Sequence, residues 1–322
     1  VSLHPIKPEL NTLAVVLREP QQLELRELAL TGPGDADVVV EMEWSGISTG
    51  TERLLWSGKM PAFPGMGYPL VPGYEGVGRI ASAGAQSGRT VGERVFVPGA
   101  RCYGEVRGLF GSSAARVVVP GAHVTPVDER LGERAILLAL AATALHALKV
   151  GSGAPQLIIG HGVLGRLIAR LALLHGAGAA PVVWETNPAR RAGATGYAVI
   201  DPAEDTRRDY LRICDVSGDG GLLNGLIGRL APRGEIVLAG FYSAPLSFDF
   251  APAFMREAQL RIAAQWQKSD LADVLALSQS GELSLDGLIT HHSAAIDATR
   301  AYRTAFDDAA CLKMILDWRN AA

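Results

Sequence analysis

Residues 160–165 read Gly-His-Gly-Val-Leu-Gly, and their neighbours supply the context in which G-x-G-x-x-G can hold a dinucleotide. The apolar run Leu157-Ile158-Ile159 precedes the motif, and Leu164, Leu167, Ile168 and Leu171 follow it at helical spacing. In such a strand–turn–helix, Gly160 permits the tight turn, Gly162 lets the backbone approach a pyrophosphate, and Gly165 lets the helix pack on its strand. The unpaired N–H groups of the new helix, from Val163 and Leu164 onward, would hold the phosphates. His161 lies inside the turn, where a ring N–H could reach the cofactor or simply face solvent. About twenty residues on, a second apolar run ends in Glu185. A carboxylate there accepts hydrogen bonds from a ribose 2′-OH and repels a 2′-phosphate, which favours NAD over NADP. Arg190 and Arg191 argue the other way, since guanidinium groups could accept that phosphate.

A second chemical stretch is Trp44-Ser45-Gly46-Ile47-Ser48-Thr49-Gly50-Thr51-Glu52, dense in hydroxyls at a strand-to-helix change. Ser48 and Thr51 could relay a proton there, although Thr51 could equally cap the helix. Three widely spaced cysteines, Cys102, Cys214 and Cys311, form no C-x-x-C pair and no disulfide framework, which suits a reducing compartment. The net charge of −3, with no long basic run, argues against a nucleic-acid partner. No charge-free apolar run reaches the length of a membrane span, and residues 1–12 lack a signal-peptide core and read as an upstream extension. A cytoplasmic protein with no integral membrane segment is the expectation.

These groups must be positioned by two kinds of structure. From Leu13 the chain reads as short strands (13–17, 23–28, 37–42, 94–97 and 115–119) separated by turn residues, the pattern of a β domain. Residues 133–147 turn helical, and from about Val150 strands alternate with helices as in a doubly wound parallel sheet. There 213–218 reads as a strand, 222–230 as a helix, 234–240 as a buried strand and 260–266 as the last strand. Ligands of open sheets bind outside the carboxyl ends of the strands, which puts Ser217, Gly240 and Phe241 on the cofactor side. The expected class is α/β, divided as 1–149, 150–267 and 268–322.

This order, with Gly73-Tyr74-Glu75-Gly76-Val77-Gly78 and Gly46-Ile47-Ser48-Thr49-Gly50-Thr51-Glu52, resembles the medium-chain dehydrogenase/reductase superfamily. The resemblance implies a GroES-like catalytic domain, a Rossmann domain and a C-terminal segment that returns to the catalytic domain. Members with catalytic zinc bind it through two cysteines and the histidine of G-H-E; Ser48 (or Thr49), Tyr74 and Ala139 stand at those places. Only Cys102 lies near the family's four-cysteine lobe, so both zincs are expected to be absent. Tyr74 then becomes the first candidate for base or relay, with Ser48 and Thr51 as relay partners and Glu52 or Glu75 orienting them. By the same analogy Thr143 and Leu164 flank the nicotinamide; His146 on the same helix either touches substrate or is a packed or exposed helix histidine.

Long strings, among them residues 60–75 and 97–111, are similar to a family member acting on a large, flat, magnesium-bearing macrocycle. That similarity implies oxidation of a 1-hydroxyethyl group to acetyl with NAD as acceptor. Trp44, Trp56, Met60, Phe63, Met66 and Tyr68 could line the cleft, and Arg53, Arg101 or Arg107 could pair with a substrate carboxylate. The adjacent pair His291-His292 is no metal site, since neighbours on a strand point to opposite faces. Family analogy also implies a homodimer. Two alternatives stay open: an NADPH-dependent quinone or enone reductase, and a nucleotide-binding member without turnover.

Overall fold

Short half-buried strands build the first domain of the computed structural model, which describes residues 10–175 and 178–321. Strand β1 (Asn11–Glu19) buries Ala14 to Leu17 and pairs antiparallel with β2 (Gln22–Ala29). Of the expected upstream extension, Asn11 and Thr12 are therefore strand, and residues 1–9 lie outside the described residues. Two short strands, β4 (Leu70–Val71) and β7 (Arg107–Gly108), complete this sheet.

The second sheet is centred on β3 (Asp37–Ile47). One edge of β3 pairs with β5 (Gly76–Ala83), which continues to β6 (Arg94–Val97) and β9 (Thr125–Pro126). Along its other edge, the first half of β3 takes β8 (Arg116–Pro120), and the second half takes β17 (Met314–Asp317) with β16 (His291–Ala294) beyond it. Helix α8 (Ala298–Asp307) presses Ala301, Tyr302, Ala305 and Phe306 into this core. The end of the chain thus completes the sheet that the beginning started. Helix α1 (Thr51–Ser57) leaves directly from the end of β3.

Helix α2 (Leu138–Val150), entered through a 3-10 stretch at Glu129–Leu137, leads into the second domain. The span Glu129–Val150 is long and apolar enough to cross a membrane by length and composition, but its apolar residues are packed against α3 (Val163–His175) and α7 (Lys268–Ser280) in one hydrophobic core. Six parallel strands form the second domain: β10 (Leu157–Ile159), β11 (Val182–Trp184), β12 (Ala198–Ile200), β13 (Tyr210–Asp215), β14 (Leu230–Leu238) and β15 (Gln259–Ile262). They lie in the order β12-β11-β10-β13-β14-β15, so the direction of winding reverses between β10 and β13 and opens a crevice there. Short helices α4 (Pro188–Arg191), α5 (Leu223–Ile227) and α6 (Phe250–Met255) fill the crossovers. The helix expected over 222–230 is shorter because Leu230 already belongs to β14.

Candidate active site

The glycine turn sits where β10 meets α3, at the reversal point. Gly160 has φ +103°, which side chains rarely tolerate. A Cβ on Gly165 would lie 1.9 Å from the Gly160 carbonyl oxygen, so the helix closes on the strand only with glycine there. A Cβ on Gly162 would meet nothing within 4 Å, leaving its face open to an approaching ligand. The first-turn N–H groups at Val163 and Leu164 precede any intrahelical partner and can serve a phosphate.

The acidic residue is built into the same turn. Glu185 accepts the His161 backbone N–H (3.1 Å) on Oε2 and the Asn187 N–H (2.8 Å) on Oε1. Each oxygen keeps a lone pair for a ribose hydroxyl. His161 corrects the expectation of a ring facing the cofactor. Its side chain is fully buried, with Nδ1 2.6 Å from the Arg190 carbonyl oxygen and Nε2 2.9 Å from the Tyr197 hydroxyl. Burial lowers its pKa, and a neutral ring satisfies both partners by donating from Nδ1 and accepting at Nε2. Buried Arg166 adds bonds to the carbonyls of His161, Arg190 and Ala192, tying α4 to the turn.

The Arg190 Nε donates to the Ala309 carbonyl (2.8 Å) in the C-terminal segment. Arg191 bonds the Glu185 carbonyl and pairs with Asp201. Ser217, Gly240 and Phe241 lie at the carboxyl ends of β13 and β14. There the Asp215 carboxylate accepts the Ser217 N–H (2.9 Å), and Phe241 is exposed.

The catalytic half gathers side chains from distant segments. Ser48 Oγ and the Tyr74 hydroxyl are 2.7 Å apart, and the Tyr74 ring stands edge-on to Phe110. Burial and the neighbouring Glu75 charge raise the Tyr74 pKa, outweighing hydrogen bonds from Ser48 and Thr51. Tyr74 is therefore a neutral phenol at physiological pH, contrary to the lowered pKa a phenolate base needs. Thr51 makes no capping hydrogen bond and is the first residue of α1, behind Gly50.

Beneath this pair lie two buried carboxyls. Glu52 accepts the Tyr302 hydroxyl (2.6 Å) and the Ser48 backbone N–H (3.1 Å), and burial pushes its pKa up to about 7. Glu75 is paired with Lys313 at 2.6 Å, both completely enclosed, while its Oε1 has no partner. Glu75 is thus held below the hydroxyl pair instead of facing a substrate. Lys313 and Tyr302 were missed by sequence reasoning. A lysine inside the apolar run Leu312–Leu316 was the available signal.

His146 is placed against α7, with Nδ1 2.9 Å from the buried Asp270 carboxylate, which Lys149 also bonds. That interhelical contact engages the ring as a packed helix histidine. Thr143, three residues before it, donates to the Ala139 carbonyl (2.9 Å) of its own helix. Of the aromatic and methionine candidates, Trp44 is buried beneath Arg94 and Arg319, Trp56 packs on Phe306, and Met60 joins a satellite core with Leu17 and Leu55. Phe63, Met66 and Tyr68 remain at least partly exposed on the loop between α1 and β4. Arg53, Arg101 and Arg107 are exposed, and Arg107 bonds the Tyr68 carbonyl (3.3 Å). His292 bonds Glu133 and His291 bonds Thr290.

A serine and a tyrosine hydrogen-bonded to each other, with the methyl of Ala139, do not make a zinc donor set. Among the described residues no three His, Cys, Asp or Glu side chains converge as a metal site.

Residues 34–129 match the alcohol dehydrogenase GroES-like domain. The chain is 55% identical over 314 residues (97% of this chain, 100% of the relative) to a 2-desacetyl-2-hydroxyethyl bacteriochlorophyllide A dehydrogenase from Rhodobacter capsulatus. It is 54% identical, with the same coverage, to the protein of that name from Cereibacter sphaeroides. Among solved structures it resembles an alcohol dehydrogenase from Escherichia coli CFT073 complexed with NADH (TM-score 0.80, 20% identity, 95% of this chain and 99% of that one). A dehydrogenase from Sinorhizobium meliloti 1021 bound to NADP matches equally well (TM-score 0.80, 19% identity, 96% and 100%). The chain belongs to the medium-chain dehydrogenase/reductase family.

Proposed function

We propose that this enzyme oxidises the 3-(1-hydroxyethyl) group of bacteriochlorophyllide a to 3-acetyl, using NAD and no metal, as a step in bacteriochlorophyll a biosynthesis. The observation that carries the substrate is 55% identity across the whole chain to a dehydrogenase named for that pigment. The bound nicotinamide supplies the hydride acceptor. The N–H groups of Gly162, Val163 and Leu164 would hold the phosphates, and Glu185 the adenosine ribose. What supports NAD is that Glu185 is fixed at the glycine turn, where a carboxylate suits a ribose 2′-OH, while Arg190 and Arg191 are committed to Ala309 and Asp201.

Metal-free oxidation needs another way to take the hydroxyl proton. Tyr74, a neutral phenol bonded to Ser48, can accept that proton only while handing its own to Ser48, so it shuttles a proton without storing one. A homodimer fits the edge strand β15, whose surroundings expose Phe250, Phe254, Met255 and Ile262. With three buried free cysteines, the fold suits the cytoplasm.

The test is NADH formation with the hydroxyethyl pigment in chelator-stripped protein. Turnover is expected, with NADPH formed from NADP far more slowly. Tyr74→Phe should lower kcat by roughly 100-fold without weakening NADH binding. No turnover in the unaltered protein would sink the substrate reading; metal-dependent turnover would sink the metal-free one.

A further inference from the structure

A flat macrocycle needs an apolar surface beside the reacting hydroxyl, and the chain has one next to Tyr74. The Phe110 ring stands edge-on to Tyr74, with ring centroids 5.7 Å apart. Phe110, Met66 and Tyr68 are each only partly buried, and all three pack on the satellite core around Met60, Leu70 and Leu109. The loop after α1 and the segment after β7 therefore form one apolar ledge that ends at Tyr74.

Arg107 is the cation on this ledge. Its backbone N–H donates to the Pro69 carbonyl (3.2 Å), and the Leu109 N–H donates to the Val71 carbonyl (2.8 Å), which fixes β7 against the end of the loop. Its guanidinium lies over Gly67, where a Cβ would come within 3.2 Å of Cζ, and Nη1 donates to the Tyr68 carbonyl (3.3 Å). Among the described residues no carboxylate lies within 4 Å of this guanidinium. One N–H holds the group in place, and the remaining donors form a fork suited to a carboxylate. Arg53 and Arg101 are also exposed, but among the described residues neither makes a side-chain hydrogen bond or ion pair, so nothing holds them over the ledge. Three residues separate Arg107 from Phe110, about 10 Å of extended chain, a span comparable to the width of a tetrapyrrole.

We propose that Arg107 is the specificity-determining residue that pairs with the ionised propionate of the pigment, while the ledge carries its ring and Tyr74 meets its hydroxyethyl group. This subsite rests on the substrate reading above. The propionate and the hydroxyethyl group lie across the macrocycle from each other, so one molecule can touch both Arg107 and Tyr74. The pairing is non-covalent, and oxidation of the hydroxyethyl group leaves the carboxylate as it was. It binds ground state and transition state alike, so it sets KM and leaves kcat unchanged. It also selects the free acid over an ester, which brings no charge to the guanidinium.

The experiment is steady-state oxidation by NAD of the hydroxyethyl pigment, both as the free acid and as its propionate methyl ester. Binding of both forms is followed alongside by pigment fluorescence. In the unaltered enzyme the ester should have a KM about 10-fold higher than the acid, at equal kcat. Arg107→Met should raise the KM of the acid by the same factor and leave that of the ester where it was. Arg53→Met and Arg101→Met should keep the preference for the acid. Equal KM for acid and ester in the unaltered enzyme overturns the proposal, and so does an Arg107→Met enzyme that still prefers the acid. A rise in KM for both forms in that variant also overturns it, because the arginine would then only support the loop. Loss of the preference in Arg53→Met or Arg101→Met overturns it in favour of that residue. Protein that binds neither form and oxidises neither overturns the substrate reading and this subsite together. Binding that prefers the acid through Arg107, without turnover, supports the subsite and overturns the dehydrogenase step alone.

Discussion

The cofactor turn and the catalytic pocket solve opposite problems within one chain. The turn is made of backbone. Its strained φ at Gly160, its 1.9 Å constraint at Gly165 and its open face at Gly162 all lie within six residues. Even the charge at its edge, Glu185, is fixed by backbone N–H groups. The pocket is made of side chains from just after β3, from α1, from just before β5, from α8 and from just before β17. A backbone site needs the right small residues in a row. A site of buried charges needs every partner delivered, and here two partners come from the end of the chain.

That contrast implies that the pocket is the more fragile of the two. Lys313→Met leaves the Glu75 carboxylate buried without its cation and should cost about 3–5 kcal/mol. In a thermal melt this corresponds to a fall of roughly 10 °C. Removing both charges together, as Glu75→Gln with Lys313→Met, should recover most of the loss, because no unpaired charge remains. A single variant as stable as the unaltered protein would break the comparison.

Gly165→Ala probes the other region. The new methyl would meet the Gly160 carbonyl at 1.9 Å, so the helix must withdraw from the turn. NADH affinity should fall by about 100-fold, or roughly 3 kcal/mol. The Glu75–Lys313 pocket lies in the other domain and should be untouched. Loss of tertiary signal from both domains would show that the two regions do not behave independently.

The same contrast explains what could be read in advance. The glycine turn and Glu185 are legible because their spacing along the chain is their spacing in the site. Ser48 and Tyr74 stand out through family resemblance, and neither carries a local pattern that announces a 2.7 Å contact. Tyr302 reads as one more apolar position of an amphipathic helix, and Lys313 as a stray polar residue in the apolar run that leads into β17. Their partners lie 250 and 238 residues away. The surroundings of His146 and His161 are hidden from the sequence for a related reason. Each ring is consumed by a partner, Asp270 or Tyr197, that periodicity does not bring near it.

Arg190 offers the smallest and most discriminating change. By position it suits a 2′-phosphate, yet its guanidinium reaches across to the Ala309 carbonyl, four residues before Lys313. Its backbone carbonyl already accepts bonds from His161 and Arg166, and Arg190→Ala leaves both intact. The loss is one half-exposed hydrogen bond between the two domains, worth about 1 kcal/mol or less. The ratio of NADH to NADPH affinity should stay as it was, because the guanidinium is already committed to the Ala309 carbonyl. Binding titrations with both cofactors decide the point. A selective loss of NADPH affinity would mean that Arg190 leaves Ala309 when cofactor arrives, and that the turn also recruits charge from outside its own backbone.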